Sequence, residues 1–538
     1  MGGTVDMLEP VRKKRFPIIS SLVTSLALCT TLGACVTTSS GGGSDDSAPG
    51  NPPLNPPGGR PSEPQALDGE VDSSLVDRTG ENRIYAYEGI VTPDDYDGDQ
   101  GDPVASALVG LDFGACTWYY GFPNLAAGTY TIAFTNAAQN DDPGTDDALA
   151  FVGTTTVNVV DNQTTSENFA ALNVLRVGPG RLFETPTQAQ AVVSEGDVIE
   201  IDAGVYDDDI TQWRTDDITL RGVGGYAHMR ATRLIPFDNT DAGNGKGIWV
   251  TLGNNITIEN IEFSGARVAD LNGAGIRAEG NNLSVCNAYF HDNENGILGA
   301  ANGTMEIEYS EFRNNGRCGG GAGCAHNLYI VDGDTLMFRH NYSHHANIGH
   351  NLKTRATKSY ILYNRIMDET DGTASYAIDI PDGGLAYVIG NLLQQGPNTD
   401  NSGALVTFGV ESLPGDRTHA LYMINNTLVN DFPGGGFVNG EGGAQTLAIV
   451  NNIFAGGGGV PSGPGVMNNL ISNSPGLVDI AGFDYRLTEN SPARDAGIDP
   501  GIGMGFDLMP VYQYVHAHTV ENRPLDATPD IGAYEYSD

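Results

Sequence analysis

The sequence predicts an all-β protein: a right-handed parallel β-helix preceded by a small β-sandwich. Three observations predict it. The composition is rich in glycine and poor in charge, residues 70–173 hold short alternating strands, and one phrase recurs through the middle of the chain about every 27 residues. Glycine supplies 72 of 538 residues and charged residues only 17%, against about 25% in an average globular chain. Apolar residues at 40% still fill cores and exclude wholesale disorder. The length exceeds one ordinary domain. With 67 acidic against 27 basic residues the net charge is −40, a surface that repels nucleic acid, so no nucleic-acid partner is expected.

Residues 1–35 read as a lipoprotein signal peptide and not as fold. Lys13, Lys14 and Arg15 precede an uncharged apolar stretch, Phe16 to Leu32. The run Leu32-Gly33-Ala34-Cys35 resembles a bacterial lipobox, which implies a lipid on Cys35 and anchoring to a membrane. Residues 36–69 are Ser, Gly, Pro and Asp with little to bury, a disordered tether. The expected location is therefore the bacterial outer membrane or cell surface, and otherwise the periplasm or the exterior as a secreted protein. Of the later cysteines, Cys318 and Cys324 bracket a glycine-rich loop and are the expected disulfide, while Cys286 is expected to pack as a small core residue.

Residues 70–173 hold alternating runs at Arg83–Tyr87, Val104–Val109, Tyr130–Phe134 and Thr154–Val159, the pattern of a β-sandwich. The segment from Phe122 to Ile132 resembles the closing hairpins of prealbumin-like, Cna-B-type sandwiches. Asp95, Asp97 and Asp99 alternate as in calcium loops, but Gly101 comes one place late and no Glu closes the loop. A solvated acidic loop is the better reading. Ca2+ remains the one cofactor that the sequence raises, and no residue set assigns it.

The repeat decides the fold of residues 174–538. An apolar residue stands two places before Asn260, Asn287, Asn364, Asn391, Asn426 and Asn452, with Tyr309 and His340 filling the gap. The intervals are 27, 22, 31, 24, 27, 35 and 26 residues, about one turn of a parallel β-helix each. Stacked Asn side chains at a bend would hydrogen-bond along the coil. Thr185-Pro186 ahead of Ala189 and Ala191 predicts a short capping helix. From Gly196-Asp-Val-Ile to Gly204-Val-Tyr206 the chain resembles the pectate-lyase-like β-helix superfamily, and Asp484-Tyr-Arg-Leu487 and Asp530-Ile-Gly-Ala-Tyr534 match tails of its bacterial members. The resemblance implies the fold. It does not choose among lyases, hydrolases, epimerases and binding proteins.

A candidate site follows from charge. Between Arg313 and Arg365 stand Arg313, Arg317, Arg339, Lys353, Arg355, Lys358 and Arg365 against two acids, Asp332 and Asp334. His326, His340, His344, His345 and His350 share this window. Such an island in an acidic protein suits an anionic polysaccharide. If Leu328, Leu352 and Ile378 point inward, period two turns His326, His350 and Tyr376 inward and Asn327, Tyr329, Asn351, Lys353, Arg355 and Asp379 outward. Uronate β-elimination needs a neutralised carboxylate, a base for the C5 proton and an acid for the leaving oxygen. Arg355 suits the first, because its planar fork matches a carboxylate. Lys353 suits the second if Arg355 lowers its pKa. Tyr329, His344 or His345 suits the third, and Arg365, Asn327, Asn351 and Asp379 are expected to bind substrate. Lyases resembling chondroitinase B and alginate lyases place a Lys and an Arg on neighbouring coils beside a carboxylate-bound calcium. Here Lys353 and Arg355 share a strand, with Asp379, Asp382 and Glu411 as the nearby carboxylates. A C5-epimerase needs the same proton abstraction, and a non-catalytic glycan- or partner-binding surface protein is the alternative from another class.

Overall fold

The computed structural model describes residues 65–76, 82–90, 103–111, 116–135, 153–160, 163–171, 173–236, 245–319, 323–401, 403–440, 444–524 and 528–537. The signal segment with Cys35, the tether up to residue 64 and the Asp95–Asp99 loop lie outside these residues.

Two four-stranded sheets form the N-terminal part. One runs in the order Gly110–Leu111, Trp118–Phe122, Leu67–Val71, Thr165–Ser166, the other Ala105–Leu108, Arg83–Glu88, Gly128–Thr135, Gly153–Val159. Leu67, Ile84, Tyr120, Ile132 and Phe134 fill the space between them. The first strand starts inside the stretch read as tether, because Leu67, Gly69 and Val71 alternate toward the core and pair with Trp118–Phe122.

From Val174 onward the chain coils. Each turn gives one short strand to each of three parallel sheets: Leu352–Thr354 to the first, Lys358–Leu362 to the second, Arg365–Met367 to the third, and Ile378–Ile380 to the first again. Parallel strands joined by such crossovers wind right-handedly. Leu352, Ile361 and Ile366 point into the core with Ile378, Val388 and Leu393 of the next turn. Phe263, Phe290 and Phe312 stack inside the third sheet at 5.2 and 4.7 Å. A short helix, Pro186–Gln190, stands where Thr185-Pro186 predicts one.

Asparagines do stack at the corner between the second and third sheets. The backbone N–H of Asn341 donates to the Asn364 side chain, Asn364 to Asn391, Asn391 to Asn426 and Asn426 to Asn452, each at 2.9 Å. The phase of the repeat slips, however. Phe338 pairs with Ile361 and Ile361 with Val388, so the Asn364 phrase stands one residue late. Asn260 and Asn287 hold the left-handed position before this corner (φ 57° and 48°), which His340 and Tyr363 hold in later turns. A side chain that tolerates positive φ and one that bridges turns are adjacent needs, and asparagine serves both.

The outer faces of two sheets are covered. On the second sheet, Arg221, Glu259 and Cys286 stand in one column on successive turns. The sandwich docks there. Arg221 pairs with Asp72 at 3.1 Å, the Ser73 hydroxyl donates to Glu259 at 3.0 Å, and Cys286 is bonded to Cys116. Cys286 is thus not a free core thiol, because its column faces outward toward the sandwich. Lower on the same sheet the C-terminal segment covers Tyr360, Tyr387 and Tyr422 with Phe506. On the third sheet, Tyr342, Met367 and Leu392 lie under Tyr485, Tyr514 and Tyr534. The outer face of the first sheet is crossed instead by the loop that carries Glu411 and Arg417.

Candidate functional site

The middle column of the outward face of the first sheet reads Arg277, Leu298, Tyr329, Lys353, Asp379 and Thr407. Lys353 therefore stands between Tyr329 and Asp379, the register that period two predicts. Its ammonium is 2.9 Å from Asp379 Oδ2 and 3.1 Å from Glu411 Oε1. Arg355 emerges where the strand ends. Its guanidinium holds Asp382 at 2.7 Å, binds the second oxygen of Glu411, and donates through Nε to the Tyr329 hydroxyl at 3.0 Å. Asp379 is 2% exposed and also accepts from the Thr407 hydroxyl. Glu411 and Arg417 come from the loop between the strands Ala404–Phe408 and Ala420–Ile424. Arg417 donates to the carbonyl of Arg355 at 3.1 Å. Glu411 stays 49% exposed, whereas the Lys353 side chain is 9% exposed.

Electrostatics follow from this packing. Burial opposes the charge on Lys353, but Asp379 and Glu411 outweigh it and hold its pKa above the ordinary lysine value. This corrects the expectation that Arg355 lowers it, because two carboxylates lie nearer than the guanidinium. Burial likewise opposes the charge on Arg355, and Glu411, Asp382 and Tyr329 raise its pKa. Burial raises the Glu411 carboxyl, yet Arg355 and Lys353 pull it below its usual range. The charges on Lys353, Arg355, Asp382 and Glu411 are thus in place at neutral pH.

The histidine stack exists, but on the other side of the strand. His326 and His350 rings stack at 4.5 Å, and Tyr376 follows at 4.8 Å. They do not join the apolar core. His326 packs edge-on to Tyr329, and His350 Nε2 lies 3.4 Å from Asp379 Oδ2. Asn327 and Asn351, expected to face substrate, are fully buried instead. Their side chains form an internal ladder, Asn315 to Asn327 at 3.0 Å, Asn327 to Asn351 at 3.1 Å, and Asn351 to Asp368 at 3.1 Å. The reason is a bend at each asparagine. Alternation holds only within a strand, so Asn327 and Leu328 both turn inward. Backbone N–H groups of His350 and Tyr376 donate to Nδ1 of His326 and His350. Both rings then carry their proton on Nε2. Burial pushes the His350 pKa down to about 4 and holds His326 well below the ordinary value.

The other expected residues lie elsewhere. His344 and Arg365 are on the third sheet. His344 Nε2 is 3.1 Å from Glu311, and its Nδ1 is 2.7 Å from Nδ1 of His345, which reaches Asp371 at 3.0 Å. Arg365 lies over the Tyr342 ring at 5.3 Å, pairs with Glu369 and donates to the carbonyl of Phe483. None of the three joins Lys353. The basic window spans two turns and so visits every face. Arg339 is buried against Glu306 and Glu308 on the second sheet, and of the seven cations only Lys353 and Arg355 converge. Cys318 and Cys324 are bonded to each other.

Ca2+ does not fit this site. Asp379, Asp382 and Glu411 are engaged by Lys353 and Arg355, and among the described residues they form no cluster with ligand atoms mutually in reach of one ion. What the arrangement offers is a pair of cations held beneath one half-exposed carboxylate, Glu411.

Residues 235–393 match the family model described as right handed beta helix region. The fold is a right-handed parallel β-helix. No curated protein matches the sequence. Among solved structures the chain is similar to pectate lyase Pel9A, with 14% identity and a TM-score of 0.47 over 68% of this chain and 98% of that one. It is also similar to the pectin methylesterase from Aspergillus niger, with 13% identity and a TM-score of 0.24 over 62% and 95% of the two chains. The Dettilon tailspike protein follows with 11% identity and a TM-score of 0.28 over 52% and 63%. Likeness at this level concerns the fold, so the chemistry has to come from the residues themselves.

Proposed function

We propose that the first-sheet face binds a carboxylate-bearing polysaccharide and cleaves it by β-elimination at a uronate. One observation carries this reading: Glu411, half exposed on a loop, places its two carboxylate oxygens on Lys353 and Arg355. A uronate carboxylate has the same charge and the same pair of acceptors. Entering in place of Glu411, it would fill the Arg355 fork and neutralise itself there. Losing Glu411 also removes one of the two groups that raise the Lys353 pKa, and burial then works against Asp379 alone. Lys353 moves toward the neutral form that takes the C5 proton. Tyr329 accepts from Arg355 Nε, so its own O–H is directed elsewhere and is available to the leaving oxygen. The histidines of the stack are poor bases here, since each Nδ1 already accepts a backbone N–H.

The test is a panel of uronate polysaccharides assayed for the ultraviolet absorbance of the unsaturated product. Parent protein should generate it on at least one member, and Arg355→Ala should abolish it. The non-catalytic reading draws on the same geometry, because both cations are fully paired as they stand. Binding without new absorbance, still lost in Arg355→Ala, would replace elimination by capture alone. We place the protein, by its Cys35 motif, on a bacterial outer membrane or cell surface, where such polymers are met.

A further inference from the structure

Three side chains outside this site converge on the third sheet. His228, Glu262 and His291 come from successive turns, in the strands Thr219–Arg230, Ile261–Ser264 and Tyr289–His291. His228 and Glu262 are register partners, and His291 is the partner of Ser264 on the strand that carries Glu262. Period two turns all three to the outer face, opposite the inward Met229, Phe263 and Phe290. Glu262 Oε1 is 3.3 Å from His228 Nδ1 and 2.9 Å from His291 Nε2, and the ligand atoms of all three lie within 4.8 Å of one another.

Those separations suit one small ion. Zinc bound at about 2.0–2.1 Å by nitrogen and oxygen in a tetrahedron sets its ligands roughly 3.3 Å apart. The remaining ring nitrogens are already committed. His228 Nε2 is 2.7 Å from Ser264 Oγ, and His291 Nδ1 is 2.8 Å from Asp292 Oδ2. Each outer nitrogen can thus hold its proton on an oxygen acceptor, leaving the inner lone pair for a metal, the outer-sphere pattern of ligating histidines. Tyr289 stacks on His291 at 4.5 Å and fixes the ring. The side chains are 16%, 21% and 19% exposed, so they are held by packing yet reachable. Asp207 and Asp292 lie beside the trio along with Glu262, and Arg230 and Arg313 are the cations next to it. The balance favours a cation.

We propose that His228, Glu262 and His291 bind a divalent transition-metal ion with a preference for imidazole, Zn2+ in the first place. Two nitrogens and one oxygen disfavour Ca2+ and Mg2+. The fourth position faces solvent. The ion would tie together three turns of the coil, the same three turns whose second-sheet column, Arg221, Glu259 and Cys286, holds the sandwich.

The experiment uses the purified full chain after chelator treatment, titrated with ZnCl2 and, as control, CaCl2. One zinc per chain, a rise in melting temperature with zinc and none with calcium are expected. Glu262→Gln keeps the shape of the site and should weaken zinc binding at least tenfold. His228→Ala/His291→Ala should abolish it. Should that double variant not fold, Co2+ added to the parent gives an independent readout, the intense visible bands of a tetrahedral site, diminished in Glu262→Gln. Zinc uptake and thermal shift unchanged by Glu262→Gln and by the double variant, or no zinc retained by the parent at micromolar free metal, would overturn the proposal and leave the trio an ion-paired cluster.

Discussion

Lys353 and Asp379 are lateral neighbours on adjacent turns, and their side chains meet at 2.9 Å with little water around either. Removing one partner of a buried pair leaves the other charged and uncompensated, which costs about 3 kcal/mol or more. Lys353→Ala should therefore lower the melting temperature distinctly as well as any activity, and thermal denaturation beside the parent checks it. Loss of activity in this variant alone would be ambiguous.

Arg355 is the cleaner probe. Its partners Asp382 and Glu411 reach solvent more readily than Asp379 does. Arg355→Ala should cost about 1 kcal/mol or less, yet reduce turnover on a uronate substrate by about two to four orders of magnitude. An active preparation that keeps its rate in Arg355→Ala places the chemistry elsewhere.

His350 gives a pH prediction. Its folded pKa of about 4 lies below the unfolded value near 6.5, so the unfolded chain binds the proton first as the pH falls. The stability it contributes is present above about pH 6.5 and is lost toward pH 4, on the order of 3 kcal/mol in all. Asp368 runs the other way. Burial raises its carboxyl to about 7, so its contribution is full at low pH and is lost as pH rises toward 7. The raw stability curve mixes both. The gap in melting temperature between parent and His350→Phe isolates the histidine and should narrow from pH 7 to pH 4, whereas a constant gap would refute the depressed pKa.

The Cys116–Cys286 bond closes a loop of 170 residues between sandwich and coil. Cys116→Ser should destabilise the protein by about 2–5 kcal/mol. Peptide mapping without reductant should recover the crosslinked pair from the parent.

Cys35→Ser tests the anchor. The variant expressed in a bacterial host should move from the membrane pellet to the soluble fraction, and persistence in the pellet would sink the lipid assignment.

Much of the coil was legible in the sequence, since period and apolar phase are set locally by each strand. The one-residue slip at Asn364 was not, because asparagine satisfies both the left-handed corner at Asn287 and the ladder position next to it. The pairing of Tyr329, Lys353 and Asp379 follows from counting by twos. Asn327 and Asn351 escaped that count because a bend precedes each strand. Grouping His344 and Arg365 with Lys353 failed for a geometric reason: neighbours along a coiled chain lie on different faces, and neighbours in space are a turn apart. The interval of 35 residues, the longest in the repeat, does mark the coil whose loop delivers Glu411 and Arg417. An oversized interval was thus the signal for the loop that completes the site.

The carboxylate of Glu411 also sets how the face should respond to salt. A bare basic patch sheds counterions when a polyanion arrives, so its affinity falls steeply as ionic strength rises. Here an incoming uronate takes the place of Glu411 on Arg355, so that this cation is ion-paired both before and after. Binding becomes an exchange, and added salt weakens both sides of it. Parent protein should then show a shallow dependence of affinity on salt. Glu411→Gln should bind more tightly at low salt but lose that advantage steeply. If the two slopes are equal, Glu411 does not yield its place to the ligand.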